Sequence, residues 1–246
     1  MPSPAANRIL LINPNTSSAT TERLLEVLTP RLPPNVSLDG HTAQFGARYI
    51  ACEASHAVAA HAMLEIWAEQ VSPPSIAPTG VLIGCFGDPG LFALRESSAC
   101  PVTGLAEASF IQASAFGDFA IVTGGERWRP MLRRLADALG YGKQLRHIET
   151  VAPSGAELLA DPEMAHRCLS QACTNAVRTG AKAIIMGGAG LAGYAENLRA
   201  NFPVPLIDSA QAGLDVLLSD KGPRPQAKEN GFYAQWSNVR LGTYRH

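Results

Sequence analysis

The sequence predicts an α/β protein of two pseudo-symmetric lobes, each a parallel β-sheet flanked by helices, with the active site in the cleft between them. Three observations carry this. Short aliphatic runs alternate with longer helical patterns along the whole chain, which argues parallel strands joined by helical crossovers. The chain matches itself at a nearly constant offset. The matched units all end where strands give way to turns, and open parallel sheets bind ligands beyond those carboxyl ends.

The elements follow in order. Arg8–Ile12 reads as a buried strand, and Asn13-Pro14-Asn15-Thr16-Ser17 as the turn after it. Thr20–Leu28 has helical spacing, with Leu24, Leu25 and Leu28 on one face and Pro30 beyond. Ser55–Val71 is a second helix and Gly80–Gly84 a second central strand. Phe119–Thr123 is a strand, Gly124-Gly125 its turn, and Trp128–Leu139 a helix that stops at Gly140. Pro162–Thr179 is a helix ending at Gly180, and Ala183–Met186 a strand. The stretch 220–246 turns polar, yet carries Phe232, Tyr233 and Trp236. It reads either as a loose tail or as a segment whose aromatics dock on the body or on a neighbour.

Laid on itself, Val81-Leu82-Ile83-Gly84-Cys85-Phe86-Gly87 matches Ile184-Ile185-Met186-Gly187-Gly188-Ala189-Gly190, so Cys85 falls on Gly188. Pro101-Val102-Thr103-Gly104 matches Pro205-Leu206-Ile207-Asp208, and Leu11–Asn15 matches Ile121–Gly125 more loosely. Three strand-plus-turn units in one order argue a doubled fold. The expected lobes are 1–104 with 213–246, and 105–212.

Of the 246 residues, 46% are hydrophobic and 17% charged, with a net charge of −1. A folded core is expected and disorder is not. The Lys/Arg residues form no cluster that could track a phosphate backbone, so nucleic acid is not an expected partner. The longest apolar run falls short of the roughly 18 residues of a membrane span, so no membrane association is expected. The first residues lack a basic leader. Cys52, Cys85, Cys100, Cys168 and Cys173 form no CxxC pair and no zinc-like spacing. Reduced thiols, a cytoplasmic location, no metal and a homo-oligomeric state are expected.

Cys85 follows a buried strand and opens the turn Phe86-Gly87-Asp88-Pro89-Gly90. A thiol there can meet backbone N–H groups, and a helix starting near Pro89 would favour the thiolate. An ordinary thiol titrates near about 8.5, so such help matters for a base. The same cysteine could equally pack as a small hydrophobe. Asn13, Asn15, Thr16 and Ser17 supply short donors and acceptors beside it in the predicted cleft. They also read as an Asx/ST turn with Thr16 or Ser17 capping the next helix. Thr123 and Gly124 hold the mirrored place in the second lobe, where the glycine pair admits a ligand close to the backbone.

The segments ILLINPNTS, CFGDPGL around Cys85, PVTGLAEASF, ERWRPML, GGAGLAG and VPLID resemble hydantoin and allantoin racemases of the aspartate/glutamate/hydantoin racemase superfamily. The resemblance runs from Arg8 to about Leu218. It implies a cofactor-independent reaction in which two cysteines face each other across the cleft. One removes the proton beside a ring carbonyl and the other delivers one to the opposite face, while loop N–H groups hold the carbonyl charge. Cys85 matches the first cysteine. The second position is Gly188, which has no proton to give. Phe86, Gly87, Ala189 and Gly190, flanking the two positions, join Asn13, Asn15, Thr16, Ser17, Thr123 and Gly124 as expected substrate contacts.

Three functions follow from this departure. The first is a racemase-type enzyme acting on a small hydantoin-like ring, a 5-substituted hydantoin or allantoin, altered or one-based at Gly188. The second is a single-cysteine lyase, decarboxylase or isomerase of a small carboxylate or imide; arylmalonate decarboxylases of the same superfamily work with one cysteine. The third is a non-catalytic small-molecule binder. Cys168 and Cys173 sit on a helix and read as packing residues, His56 and His61 as helix-face residues. Tyr194, six residues beyond Gly188, could enter the cleft but is a poor base, titrating near about 10.

Overall fold

The computed structural model describes residues 7–72, 75–152, 155–219, 222–225 and 227–234. The first half of the chain runs β1 (Asn7–Asn13), α1 (Ser18–Leu28), β2 (Val36–Thr42), α2 (Glu53–Val71), β3 (Gly80–Ile83), α3 (Leu91–Ser97), β4 (Val102–Gly104) and α4 (Leu105–Ser114). The second runs β5 (Phe119–Gly124), α5 (Trp128–Ala138), β6 (Leu145–Val151), α6 (Gly155–Ala160), α7 (Pro162–Arg178), β7 (Ala183–Gly187), α8 (Tyr194–Leu198), β8 (Leu206–Asp208) and α9 (Ser209–Leu218). Among the described residues, no helix is long and apolar enough to cross a membrane.

Both sheets are parallel and four-stranded, ordered β2-β1-β3-β4 and β6-β5-β7-β8. The duplication read from the sequence therefore maps strand onto strand: β1 on β5, β3 on β7, β4 on β8. The unmatched edge strands β2 and β6 take equivalent places.

The central strands are apolar through their middles because both of their faces are covered there. Leu10, Ile12, Val81 and Ile83 point to an outer cluster with Met63 and Trp67 of α2. Ala120, Val122, Ile184 and Met186 point to a matching outer cluster under α7, which includes Cys173. The alternate residues Leu11, Leu82, Ile121 and Ile185 share a third cluster with Leu105 and Phe110 of α4 and Leu214 of α9. This shared core joins the lobes. Helix α4 packs along α9 and toward β7, whereas α9 packs back on β3 and β4. The expected boundary at 212/213 thus falls within α9.

The polar segment after α9 docks on the first lobe where it is described. Phe232 is buried beside Trp67 and Leu10, the Gly231 N–H donates to the Ser97 carbonyl (3.0 Å), and Asn230 Oδ1 accepts the Ala99 N–H (2.7 Å). Tyr233 is exposed, and Trp236 lies outside the described residues.

Phe110 is fully buried between the lobes and stacks on Phe119 at 5.6 Å. Phe110→Ala is expected to lower the unfolding free energy by about 3–5 kcal/mol, read from urea unfolding. A loss below about 1 kcal/mol would show that the shared core is not what joins the lobes.

Candidate functional site

A cavity of about 260 Å³ lies at the carboxyl ends of both sheets, at the small end of ligand pockets. The first lobe lines it with Asn15, Ser17 and Thr20 after β1, with Arg48, Tyr49 and Ile50 before α2, and with Gly84, Cys85 and Phe86 after β3. The second lobe adds Thr123 and Gly124 at the end of β5, Trp128 at the start of α5, and Gly187 to Leu191 at and after the end of β7. Nine of the twelve expected site residues line it: Cys85, Gly188, Asn15, Ser17, Phe86, Thr123, Gly124, Ala189 and Gly190.

Asn13, Thr16 and Gly87 do not, each for a local reason. Asn13 is fully buried and builds the turn instead of facing it. Its Nδ2 donates to Asn15 Oδ1 (3.1 Å), the Ser17 carbonyl (3.0 Å) and Thr21 Oγ1 (3.0 Å), while its Oδ1 accepts the Asn15 N–H (3.1 Å). Asn15 Oδ1 then accepts the Ser17 N–H (2.9 Å), completing an Asx network. Thr16 spends its N–H on the Ala47 carbonyl (3.1 Å), tying the turn to the Arg48–Ile50 segment. Ser17 holds the N-cap position of α1 without making a side-chain cap bond, contrary to the capping expectation. Gly87 packs under Trp128, and its carbonyl accepts from His56 Nε2 (2.9 Å). Because a carbonyl can only accept, that nitrogen carries the proton.

Cys85 is 6% exposed. The turn does not offer its N–H groups to the sulfur: those of Gly87 (3.0 Å) and Asp88 (3.2 Å) donate to the Cys85 carbonyl. Helix α3 begins only at Leu91. Burial, followed by the nearby Asp88 carboxylate, pushes the thiol far above its ordinary range. The expected thiolate is therefore a neutral thiol at rest.

Gly188 has φ +143° and ψ 137°, a backbone conformation that L side chains rarely adopt. Its N–H donates to Ser209 Oγ (3.2 Å). Space is not the constraint, since an added Cβ would meet only Leu191, at 3.6 Å. The two turns meet directly: a Cβ on Gly187 would overlap the Phe86 ring.

The sequence reading missed the Arg48–Ile50 segment, Trp128 as a lining residue, and Thr20. The Tyr49 hydroxyl donates to the Gly124 carbonyl across the lobes (3.3 Å), and burial, with Cys85 nearby, raises its phenol. Residues 48–50 lie beyond the carboxyl end of β2, an edge strand that the sequence does not announce. Tyr194 does not enter the cavity, because its hydroxyl donates to the Leu158 carbonyl (2.9 Å). Cys173 packs against Met186, Sγ to Sδ 3.5 Å. Among the described residues no group of three His, Cys, Asp or Glu is placed to hold a metal ion, and the cavity's charged side chain is Arg48.

Fold and cavity together define a two-lobed α/β protein with a small cavity at the lobe junction, lined by a thiol from one lobe. The chain belongs to the family described as Asp/Glu/Hydantoin racemase, whose profile matches residues 9–217. It is 34% identical over 214 residues to a hydantoin racemase of Paenarthrobacter aurescens, covering 85% of this chain and 89% of that one. Its fold is similar to an allantoin racemase from Klebsiella pneumoniae (TM-score 0.80, 29% identity, 87% of this chain and 86% of that one). An allantoin racemase from Pseudomonas fluorescens is similar to the same degree (TM-score 0.80, 25% identity, 86% and 89%).

The five thiols should differ in reactivity. Hydrogen bonds from Ser55 lower the half-buried Cys52 thiol, whereas Cys85 is raised. Iodoacetamide at pH 7 is expected to label Cys52 first, with Cys85 labelled only as the pH turns alkaline, scored by peptide mass spectrometry. Faster labelling of Cys85 at pH 7 would contradict the neutral-thiol assignment.

Proposed function

We propose that this chain is a cofactor-independent racemase-type enzyme. It moves the proton on the carbon beside a carbonyl of a hydantoin-like ring, a 5-substituted hydantoin or allantoin. Cys85 is its proton-transfer group on one face, and Gly188 marks the place of an absent partner thiol. The observation that carries this reading is that Cys85 and Gly188, matched positions of a doubled fold, line one cavity from different lobes. The activities named for the relatives and the small cavity both support a small ring substrate.

The chemistry follows from the lining. The ring carbonyl acidifies the adjacent C–H, and the charge that develops on its oxygen is met by donors at the strand ends, among them Ser17, Thr20 and Thr123. Removing the proton requires the Cys85 thiolate. Because the thiol titrates high, its ionised fraction, and with it the rate, rises with pH through neutrality. With one thiol, the proton leaves and returns on the same face. The cycle is exchange without inversion.

Arg48 favours a second reading. A guanidinium in the cavity suits a substrate carboxylate, and a neutral thiol suits protonation of the carbanion that decarboxylation leaves. Carbon dioxide release from a small malonate, without exchange on a hydantoin, would select that lyase. Thermal stabilisation by ring ligands with neither reaction would select a binder.

In heavy water, a chiral 5-substituted hydantoin or allantoin is expected to take up deuterium at its stereocentre faster than it loses optical rotation, and Cys85→Ala abolishes the uptake. Equal rates of uptake and inversion would mean that a second acid works opposite Cys85.

Gly188→Cys is expected to add inversion, about 10²–10⁴-fold above the parent chain. The strained backbone should cost about 1–3 kcal/mol of stability. Unchanged optical kinetics in a folded variant would show that position 188 does not face the stereocentre.

A further inference from the structure

In each lobe a buried carboxylate clamps the turn after the third strand to the helix after the fourth. In the first lobe it is Asp88, 3% exposed. Its Oδ1 accepts the Ala106 N–H (3.0 Å) and its Oδ2 the Glu107 N–H (2.8 Å), at the start of α4. In the second lobe it is Asp208, also 3% exposed. Its Oδ1 accepts the N–H groups of Ala210 (3.0 Å) and Gln211 (3.2 Å) at the start of α9, and its Oδ2 accepts the Gly193 N–H (2.6 Å) from the turn beyond Gly188.

The two carboxylates come from different places in the repeat. The counterpart of Asp208 is Gly104, and the counterpart of Asp88 is Leu191. Yet they reach the same place in the fold, for a Cβ on Gly104 would collide with the Asp88 carboxyl group. One lobe sends the carboxylate from the turn, the other from the helix cap. The backbone agrees. Asp88 has φ +47°, a left-handed conformation that suits glycine better than aspartate. Gly104 has φ −118° and ψ 176°, which any residue adopts.

The geometry points to Asp88 as the positioning residue of Cys85: it fixes the 85–88 turn on α4 and holds a negative charge beside the thiol. Asp208 is the equivalent clamp under the Gly188 turn. This rests on reading Cys85 as the proton-transfer group, and it adds the group that holds Cys85 in place and, on top of the larger effect of burial, raises its thiol. Burial, with Glu107 nearby, pushes the Asp88 carboxyl up to about 7, so it is charged at the alkaline pH where Cys85 ionises. Tyr49, beside Cys85, donates to the Gly124 carbonyl, Arg48 lines the same cavity, and other charged or titratable groups nearby have partners of their own. Glu107 of α4 pairs with Arg95 of α3 (2.6 Å) and accepts from Thr103 Oγ1 (2.9 Å). His56 of α2 donates to Gly87. Arg134 of α5 pairs with Glu53.

The test needs no substrate, so it stands apart from the proposed reaction. In the full-length protein, the pH midpoint for iodoacetamide labelling of Cys85 is followed by peptide mass spectrometry. Removing the charge in Asp88→Asn is expected to move the midpoint down by about one unit, and Asp88→Gly to do the same. The double variant D88G/G104D rebuilds in the first lobe the arrangement of the second. It should fold and return the midpoint to the wild-type value. Should D88G fail to fold while D88G/G104D folds with the wild-type midpoint, the clamp is equally supported. A wild-type midpoint in folded D88N or D88G overturns the proposal, as does a D88G/G104D chain that fails to fold or keeps the shifted midpoint.

Discussion

The Phe86 ring lies on the backbone of Gly187, and a side chain at 187 would push it away. That contact brings the ends of β3 and β7 together, and the cavity is what remains between them. Each of the other constraints serves this approach. The shared core through Leu82, Phe110 and Ile185 holds the sheets end to end. The crossing of α4 and α9 between lobes prevents the sheets from separating independently. The Asn13 and Asn15 network shapes the floor without depending on a ligand.

In the proposed reaction, the proton chemistry within that cavity is set by what surrounds one sulfur. A thiol exposed to water titrates near about 8.5, and one aimed at free N–H groups ionises closer to neutrality. Cys85 has neither environment, and a carboxylate sits close behind it. Burial first, and Asp88 second, therefore favour the protonated form of the Cys85 thiol. Opposite, the Gly188 backbone occupies a conformation hostile to a side chain, so a glycine suits the shape of that loop.

Much of the fold was legible in the sequence, for a physical reason. Strands buried on both faces must be apolar throughout, so Leu10–Ile12, Val81–Ile83 and Ile184–Met186 stand out, and their turns could be matched across the repeat. The edge strands β2 and β6 were not legible. They carry Asp39, Gly40 and His41, and Arg146, His147 and Glu149, because an edge strand leaves polar side chains in water. Arg48, Tyr49 and Ile50 were missed since an irregular segment has no period to read. Asn13 was taken for a ligand contact because an asparagine that braces a turn and one that faces a ligand look alike in sequence. The neutral state of Cys85 was hidden too, since it depends on where the Gly87 and Asp88 N–H groups point.

The central claim is a geometric one, that a ring ligand sits with its stereocentre between Cys85 and the Gly188 backbone. A crystal structure of the Cys85→Ser variant with a bound 5-substituted hydantoin tests it most directly. The account predicts the stereocentre about 3–3.5 Å from the residue 85 side-chain oxygen, with only the Gly188 turn and solvent on the opposite face. A ligand bound away from residue 85, or a protein acid such as the Tyr49 hydroxyl poised on that opposite face, would contradict it.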